Sequence, residues 1–157
     1  MTFFIKQDGT AWASGFNAYG RLGDGTATTR LEPVQVLTDV SAIAAGSAHT
    51  LFLKTDATVW ATGFNRDGQL GDGTTSNRST PVQVFSDAQS IAAGQLHSLF
   101  LKQDGTVWAT GAGNGNYGQL GVALAPGTTL PIQVSTGVKA IAAGLWHSLF
   151  LKTNGDV

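Results

Sequence analysis

Three histidines recur along this chain and are the first side chains that could do chemistry. His49, His97 and His147 lie 48 and 50 residues apart in a chain of 157 residues. Equivalent histidines from neighbouring repeats could surround an axis, and imidazole nitrogens are common zinc ligands. The alternative is that each His ties its turn to an adjacent strand. Because the His belongs to the repeated sequence pattern itself, we favour the structural role and predict no metal site and no cofactor.

Two serines stand beside these histidines and raise the question of a nucleophile with its base. Ser98 and Ser148 each follow a His directly. Neighbouring residues of a strand point to opposite faces, so such a pair does not form a catalytic dyad. The chain has no Cys, which removes thiol nucleophiles, thiolate ligands and disulfides. We therefore predict that the protein is not an enzyme and has no catalytic residues.

Two kinds of glycine-rich segment resemble ligand-binding loops. GNGNYG (113–118) matches GxGxxG, but the dinucleotide fingerprint requires a following helix, and here GQLG and a loop follow. GDGT occurs at 23–26 and at 71–74, but a calcium loop needs alternating carboxylates and a final Glu. The only Glu in the chain is Glu32. We therefore interpret all these segments as turns.

The elements that hold these residues are copies of one repeat. The phrase IAAGSAHTLFLKTDATVWATG begins at Ile43, IAAGQLHSLFLKQDGTVWATG at Ile91 and IAAGLWHSLFLKTNGDV at Ile141. The repeat length is 48 residues, and the two extra residues of one copy fall in GAGNGNYG (111–118). A fixed period of this length indicates a repeat architecture.

Each repeat is typical of short β-strands. LFLK and VWAT are apolar, β-branched or aromatic, and a turn separates them at Asp8-Gly9, Asp104-Gly105 and Asn154-Gly155. Asp-Gly and Asn-Gly suit a hairpin turn because both residues tolerate a positive φ. The copy at Asp56-Ala57 lacks the Gly, so we expect its turn to be strained or of another type.

Two further strands complete the repeat. PVQV (33–36 and 81–84) and PIQV (131–134) begin with Pro, which suits an edge strand. SAIAAG (41–46) is rich in small residues, as expected close to a crowded axis. Four short strands in a repeat of about 50 residues predict an all-β fold of β-propeller blades.

The repeat boundaries predict how the chain is divided. We expect a partial blade at 1–40 with second, third and outer strands, full blades at 41–88 and 89–137, and a partial blade at 138–157 with inner and second strands. Propellers close with about 4 to 8 blades. We therefore expect either the rest of a larger propeller or head-to-tail association with another copy of the chain to complete the ring.

The pattern IAAGxxHSLFLKxDGTVWATGxNxxGQLGDGTTxxRxTPVQV resembles the repeat of the regulator of chromosome condensation family. Residues 43–84 span all of it, with Thr50 and Ala57 in place of the Ser and the Gly, and the first copy departs at Arg21, where the others have Gln. The resemblance implies a β-propeller, most often of seven blades. It is weakly specific for function, since members include a guanine-nucleotide exchange factor that binds chromatin, a plant UV-B photoreceptor and a secreted bacterial β-lactamase inhibitor.

Composition limits the partners. The net charge is −1 and only 12% of residues are charged, with Lys and Arg scattered singly. Nucleic acids and anionic membranes require clustered cations, so we predict neither as a partner. The sequence does not indicate a compartment. We predict a binding scaffold that meets a protein partner through its loops.

The candidate interaction residues are those that vary while the repeat stays constant, because the fold does not need them. Exposed aromatic and Arg side chains at such positions are typical binding hot spots. Two alternatives remain: a carbohydrate-binding propeller whose exposed aromatics stack on sugars, and guanine-nucleotide exchange as in the family's namesake. The candidate residues are Tyr19, Arg66, Asp67, Gln95, Leu96, Tyr117, Leu145 and Trp146.

Overall fold

The computed structural model describes residues 1–112, 117–122 and 127–157. Within these ranges the regular structure is thirteen strands and one short 3-10 helix at Ala18–Gly20. No helix there is long and apolar enough to cross a membrane. The strands are β1 (Thr2–Ile5), β2 (Ala11–Gly15), β3 (Arg30–Leu37), β4 (Val40–Ala45), β5 (His49–Lys54), β6 (Val59–Gly63), β7 (Arg78–Phe85), β8 (Ala88–Ala93), β9 (His97–Lys102), β10 (Val107–Gly111), β11 (Thr128–Ser135), β12 (Val138–Ala143) and β13 (Ser148–Lys152).

The strands form four antiparallel sheets in chain order. Two sheets have four strands, β4-β5-β6-β7 and β8-β9-β10-β11, while β1-β2-β3 has three and β12-β13 has two. Each sheet is a meander in which consecutive strands pair, and β1 of the three-stranded sheet is equivalent to the second strands β5 and β9. The predicted fold of all-β propeller blades is confirmed.

The core lies between consecutive blades. Leu51 and Leu53 of β5 pack in one buried cluster with Phe100 of β9. Phe85 at the end of β7 stacks on Phe100 with ring centroids 4.7 Å apart. Trp108 of the third strand is partly buried and packs against the same cluster. A blade therefore buries its faces only when another blade lies beside it.

The outer strands begin earlier than the sequence predicts. The outer strands β3, β7 and β11 each start three residues before the proline that begins PVQV or PIQV, and not at that proline. In β3 the pairing shifts from Ala13↔Val34 to Gly15↔Arg30, which leaves a bulge around Pro33. A proline is tolerated in a bulge because no ladder hydrogen bond is needed from it. The proline therefore sits inside an edge strand.

The turns between second and third strands also differ from the prediction in detail. Gly9 and Gly105 have φ values of 78° and 79°, whereas the Asp before each glycine is not among the positive-φ residues. Ala57 adopts the same conformation, with φ at 65°, and its N–H donates to Lys54 O at 3.1 Å. The Asp56-Ala57 turn is therefore of the same type as the glycine turns, and it is strained at the alanine.

Candidate interaction surface

All the candidate interaction residues lie at one end of the blades. Each sheet is antiparallel, so the loop after an inner strand and the loop after a third strand emerge at the same end. We call this end the loop face, made up of the segments 16–29, 46–48, 64–77, 94–96, 117–122 and 144–147. The opposite end carries the Asp-Gly turns.

A buried hydrogen-bond relay joins the loop face to the strands below it. Ser98 Oγ donates to Gln69 O at 2.6 Å, and it lies 2.9 Å from His49 Nε2 in the preceding blade. Because the serine proton is used on the carbonyl, Oγ must accept from His49 Nε2–H. His49 Nδ1 is buried and has no hydrogen-bond partner among the described residues, so a second proton there is disfavoured and the ring is neutral.

The relay repeats one blade later. His97 Nε2 lies 3.1 Å from Ser148 Oγ, which in turn donates to Gln119 O. Burial, as the largest cause, lowers the pKa of His49 to about 3 and that of His97 to about 4. Nδ1 of each of these two rings is buried and has no hydrogen-bond partner among the described residues. These histidines tie one blade to the next.

The glycine of IAAG makes room for this relay. A Cβ built at Gly46 would lie 2.5 Å from His49 Cε1 and 2.5 Å from Gly94 O. Gly94 and Gly144 are equally crowded by the histidines of their own blades. The small residue at the end of each inner strand is therefore explained by the histidine ring as well as by the neighbouring backbone.

The GDGT segments are organised by a buried asparagine. Asn65 Nδ2 donates to Asp72 Oδ1 at 3.0 Å and to Thr74 O at 3.0 Å, while Asn65 Oδ1 accepts from Leu70 N. Arg78 Nε pairs with Asp72 at 2.7 Å. Burial alone would raise the pKa of Asp72, but hydrogen bonds from Thr74 and Arg78 lower it below its usual value. The carboxylate is thus already engaged within its own loop.

The first copy of this loop is built in the same way. Asn17 Nδ2 donates to Asp24 Oδ1 at 2.9 Å, and Arg30 pairs with the same carboxylate. Within the described ranges no three His, Cys, Asp or Glu side chains lie close enough together to hold a metal ion. Of GNGNYG, residues 113–116 lie outside the described residues.

An aromatic cluster stands out on the loop face. The rings of Tyr19 and Phe64, from consecutive blades, lie 4.9 Å apart at 55°. The Arg21 guanidinium lies 5.1 Å from the centre of the Phe16 ring and 5.9 Å from that of Tyr19. We call Phe16, Tyr19, Arg21 and Phe64 the aromatic rim.

A shallow cavity of about 300 Å³ lies beside the rim, where the inner strands end. Arg21 Nη1 donates to Ser47 O at 2.8 Å, which connects the rim to the cavity wall. Gln95 N donates to Leu145 O at 3.1 Å on its far side. Residues next to all four sheets thus contribute to one continuous surface. The cavity is lined by Ala45, Gly46, Ser47, Ala93, Gly94, Ala143, Gly144 and Leu145.

The candidate residues fall into three groups by exposure. The exposed ones are Tyr117 (83%), Leu145 (60%), Tyr19 (49%), Trp146 (47%) and Arg66. Gln95 and Leu96 are half-buried. Asp67 is buried, at 6% exposure, so its carboxylate offers little to a partner. The structure brings Gln95 beside Leu145 but gives no contact that joins Tyr117 to the rim.

Sequence reasoning left Arg21, Phe16 and Phe64 out of the candidate set. The sequence did contain a signal for Arg21, since the first repeat has Arg there while the other two repeats have Gln. The link between Ser98 and His49 was also missed. That pair lies 49 residues apart, and only the packing of two blades brings it together.

The family is decided by comparison with known sequences. The profile of the regulator of chromosome condensation (RCC1) repeat matches residues 8–53, 56–101 and 104–151, and a second RCC1 profile matches 40–69 and 88–119. This chain belongs to the RCC1 repeat family. A search among curated protein sequences gives no significant match.

Solved structures also match the fold of this chain, and yeast RCC1 is among them. A chain in the crystal structure of Kap60 bound to yeast RCC1 (Prp20) aligns with a TM-score of 0.84 and 26% identity over 97% of this chain and 39% of that one. Prp20p from Saccharomyces cerevisiae aligns with a TM-score of 0.80 and 22% identity, over 94% of this chain and 40% of that one. Human WBSCR16 aligns with a TM-score of 0.84 and 21% identity, over 96% of this chain and 42% of that one. The chain spans about two fifths of the length of these three matched chains.

Proposed function

We propose that this RCC1-repeat chain is a non-enzymatic binding scaffold that meets a protein partner through the loop face. The observation that carries the proposal is the aromatic rim. Phe16 is 60% exposed and Tyr19 is 49% exposed, side by side with an arginine. Aromatic and Arg side chains are the residue types that dominate binding energy at protein interfaces.

The loops that carry the rim are held rigidly, which favours binding. Asn17 and Asn65 each fix a loop through hydrogen bonds to several of its groups. Thr62 Oγ1 donates to Gly20 O at 2.9 Å, so the loop of one blade is fastened to the next. A preorganised surface loses less conformational entropy when a partner binds.

The Ser–His pairs support a role without catalysis. Ser98 and His49 are fully buried, and the serine hydroxyl donates to a carbonyl, not to the histidine. His49 Nδ1 has no hydrogen-bond partner among the described residues that could orient the ring. A nucleophile needs an oriented base and access to substrate, and this pair has neither.

The similar structures support a protein as the partner class. Prp20 is seen bound to Kap60, and its binding to Gsp1p and histones has been described. Those partners belong to the yeast protein, which is more than twice as long as this chain. They support the class of partner proposed here and not its identity.

Comparative capture tests this function. The immobilised chain is used to capture proteins from an extract of its source, with quantification by mass spectrometry. We expect at least one captured protein whose amount falls roughly tenfold or more on the Phe16→Ala/Tyr19→Ala variant. The reason is that truncation of a hot-spot side chain costs about 2 kcal/mol or more of binding free energy. Leu31→Ala is the control, because Leu31 is 94% exposed but lies on an outer strand. Captured proteins that respond equally to both variants would contradict the proposal.

Carbohydrate binding is the second candidate, and Trp146 is the residue that favours it. Trp146 is 47% exposed and directly follows Leu145, which lines the cavity. A glycan array separates the two functions. Glycan binding that is lost on Trp146→Ala, with no protein captured through the rim, would favour the lectin.

A further inference from the structure

Arg21 is a cation without a counter-charge in the described part of the chain. The equivalent residues are Gln69 and Gln119. Arg30 and Arg78 each pair with an Asp of their own loop, but none of the ion pairs among the described residues includes Arg21. Its two hydrogen bonds go to carbonyl groups, Ala18 O at 3.0 Å and Ser47 O at 2.8 Å.

The surroundings make this isolation costly. Arg21 is half-buried, and burial is the largest cause that lowers its pKa. A guanidinium has five N–H donors. Nε and one Nη1 hydrogen donate to Ala18 O and Ser47 O, so three donors remain for a partner. A partly desolvated cation gains most from an opposite charge that arrives with its own hydrogen bonds.

The residue next to Arg21 in this surface is held under strain. Tyr19 has φ at 64°, a conformation that side chains other than glycine rarely adopt. Its counterpart in the next blade, Asp67, is buried and is not among the positive-φ residues. With this backbone conformation the Tyr19 ring packs at an angle of 55° against Phe64 and remains 49% exposed beside the guanidinium. Strain of this kind concentrates at ligand-binding sites.

We propose that Arg21 anchors a peptide-binding site that takes an Asp or Glu side chain of the partner protein. The carboxylate accepts hydrogen bonds from the outward donors of the guanidinium. An apolar side chain next to that carboxylate in the partner packs on Phe16 and Tyr19. The net charge of the loop agrees with this choice, since Asp24 is neutralised by Arg30 and leaves Arg21 as the unmatched charge of the rim. This inference rests on the proposed protein-binding function and specifies its chemistry.

Peptide selection tests the site without knowledge of the natural partner. Random dodecapeptides displayed on phage are selected on the wild-type chain alone, and the enriched peptides are then tested for binding to Arg21→Gln. That variant installs the residue found in the other two repeats, so it suits the fold. We expect the selected peptides to share an Asp or Glu beside an apolar residue. They are then synthesised with amidated C-termini, so that only a side chain supplies the carboxylate.

Affinity measurements by fluorescence polarisation complete the test. We expect Arg21→Gln to weaken binding at least roughly tenfold, and a Glu→Gln change in the peptide to cause a similar loss that does not add to the first. Lys139→Gln is the control for the loss of one positive charge, since Lys139 is exposed on β12, outside the loop face. It should leave the affinity unchanged.

Two results would overturn the inference, and they differ in what they mean for the proposed function. Peptides that bind wild type and Arg21→Gln equally but are lost on Phe16→Ala would remove the carboxylate site and leave the scaffold function standing. Selected peptides that respond to none of the loop-face variants would remove both.

Discussion

At the scale of single residues, the chain depends on two buried histidines that stay neutral. His49 and His97 each donate from Nε2 to a serine of the following blade, with Nδ1 unprotonated. Their position between blades means that protonation would disturb the contact on which the core depends. The relay is therefore a source of stability that depends on pH.

The sign of this pH dependence follows from the lowered pKa values. In the unfolded chain a histidine takes up a proton below about pH 6.5, whereas folded His49 does so only near pH 3 and His97 near pH 4. Their stabilising contribution is complete above about pH 6.5 and is lost as the pH falls toward those values. Between about pH 6.5 and pH 5 the unfolding free energy should fall by about 2 kcal/mol for each of His49 and His97.

Urea unfolding at about pH 7 and pH 5 measures this loss. The variant His49→Gln keeps an N–H donor for Ser98 but cannot titrate. It should show about half of the wild-type dependence on pH, because only His97 remains. Equal dependence in the two proteins would show that the buried histidine is not the titrating group.

At the scale of elements, the turn between second and third strands carries one removable strain. Ala57 has φ at 65° where Gly9, Gly105 and Gly155 stand in the other copies. Ala57→Gly should raise the unfolding free energy by about 1 kcal/mol, since relief of the positive φ exceeds the entropy that glycine adds to the unfolded chain. Gly105→Ala is the reciprocal control and should lower stability by a similar amount. Thermal unfolding measures both, and a destabilised Ala57→Gly would contradict the strain.

The same elements show what the sequence could predict. LFLK, VWAT and the Asp-Gly turns are local signals, so β5, β6 and their counterparts were predicted with bounds close to those observed. The early start of β3 was not, because Arg30–Leu31–Glu32 has no strand pattern of its own and is placed by its pairing with the third strand. Likewise Tyr19 and Asp67 occupy equivalent positions, but one is exposed and the other buried. Contacts outside the repeat pattern decide that difference.

At the scale of the whole molecule, equivalent interfaces form between successive blades. Leu51 and Leu53 on the forward face of one blade pack on Phe100 of the next. By repeat position, Leu149 and Leu151 present the same forward face on β13. Phe4 corresponds to Phe100 and presents the matching back face on β1. Leu149 is 49% exposed and Phe4 is 39% exposed.

These two faces are halves of an interface that the chain already forms within itself, so we expect separate copies to associate head to tail. The relay would continue too, since His147 and Thr2 correspond to His49 and Ser98.

Light scattering should show the chain above its monomer mass of 16.2 kDa. Leu149→Asp blocks one face and Phe4→Asp the other, so each variant alone should be monomeric. Their mixture should form a one-to-one dimer, because it retains one intact pair of faces, as expected of a heterologous contact. Leu31→Asp, on an outer strand, should assemble like wild type. A monomeric wild-type chain, or a mixture that does not dimerise, would show that the two faces do not recognise each other.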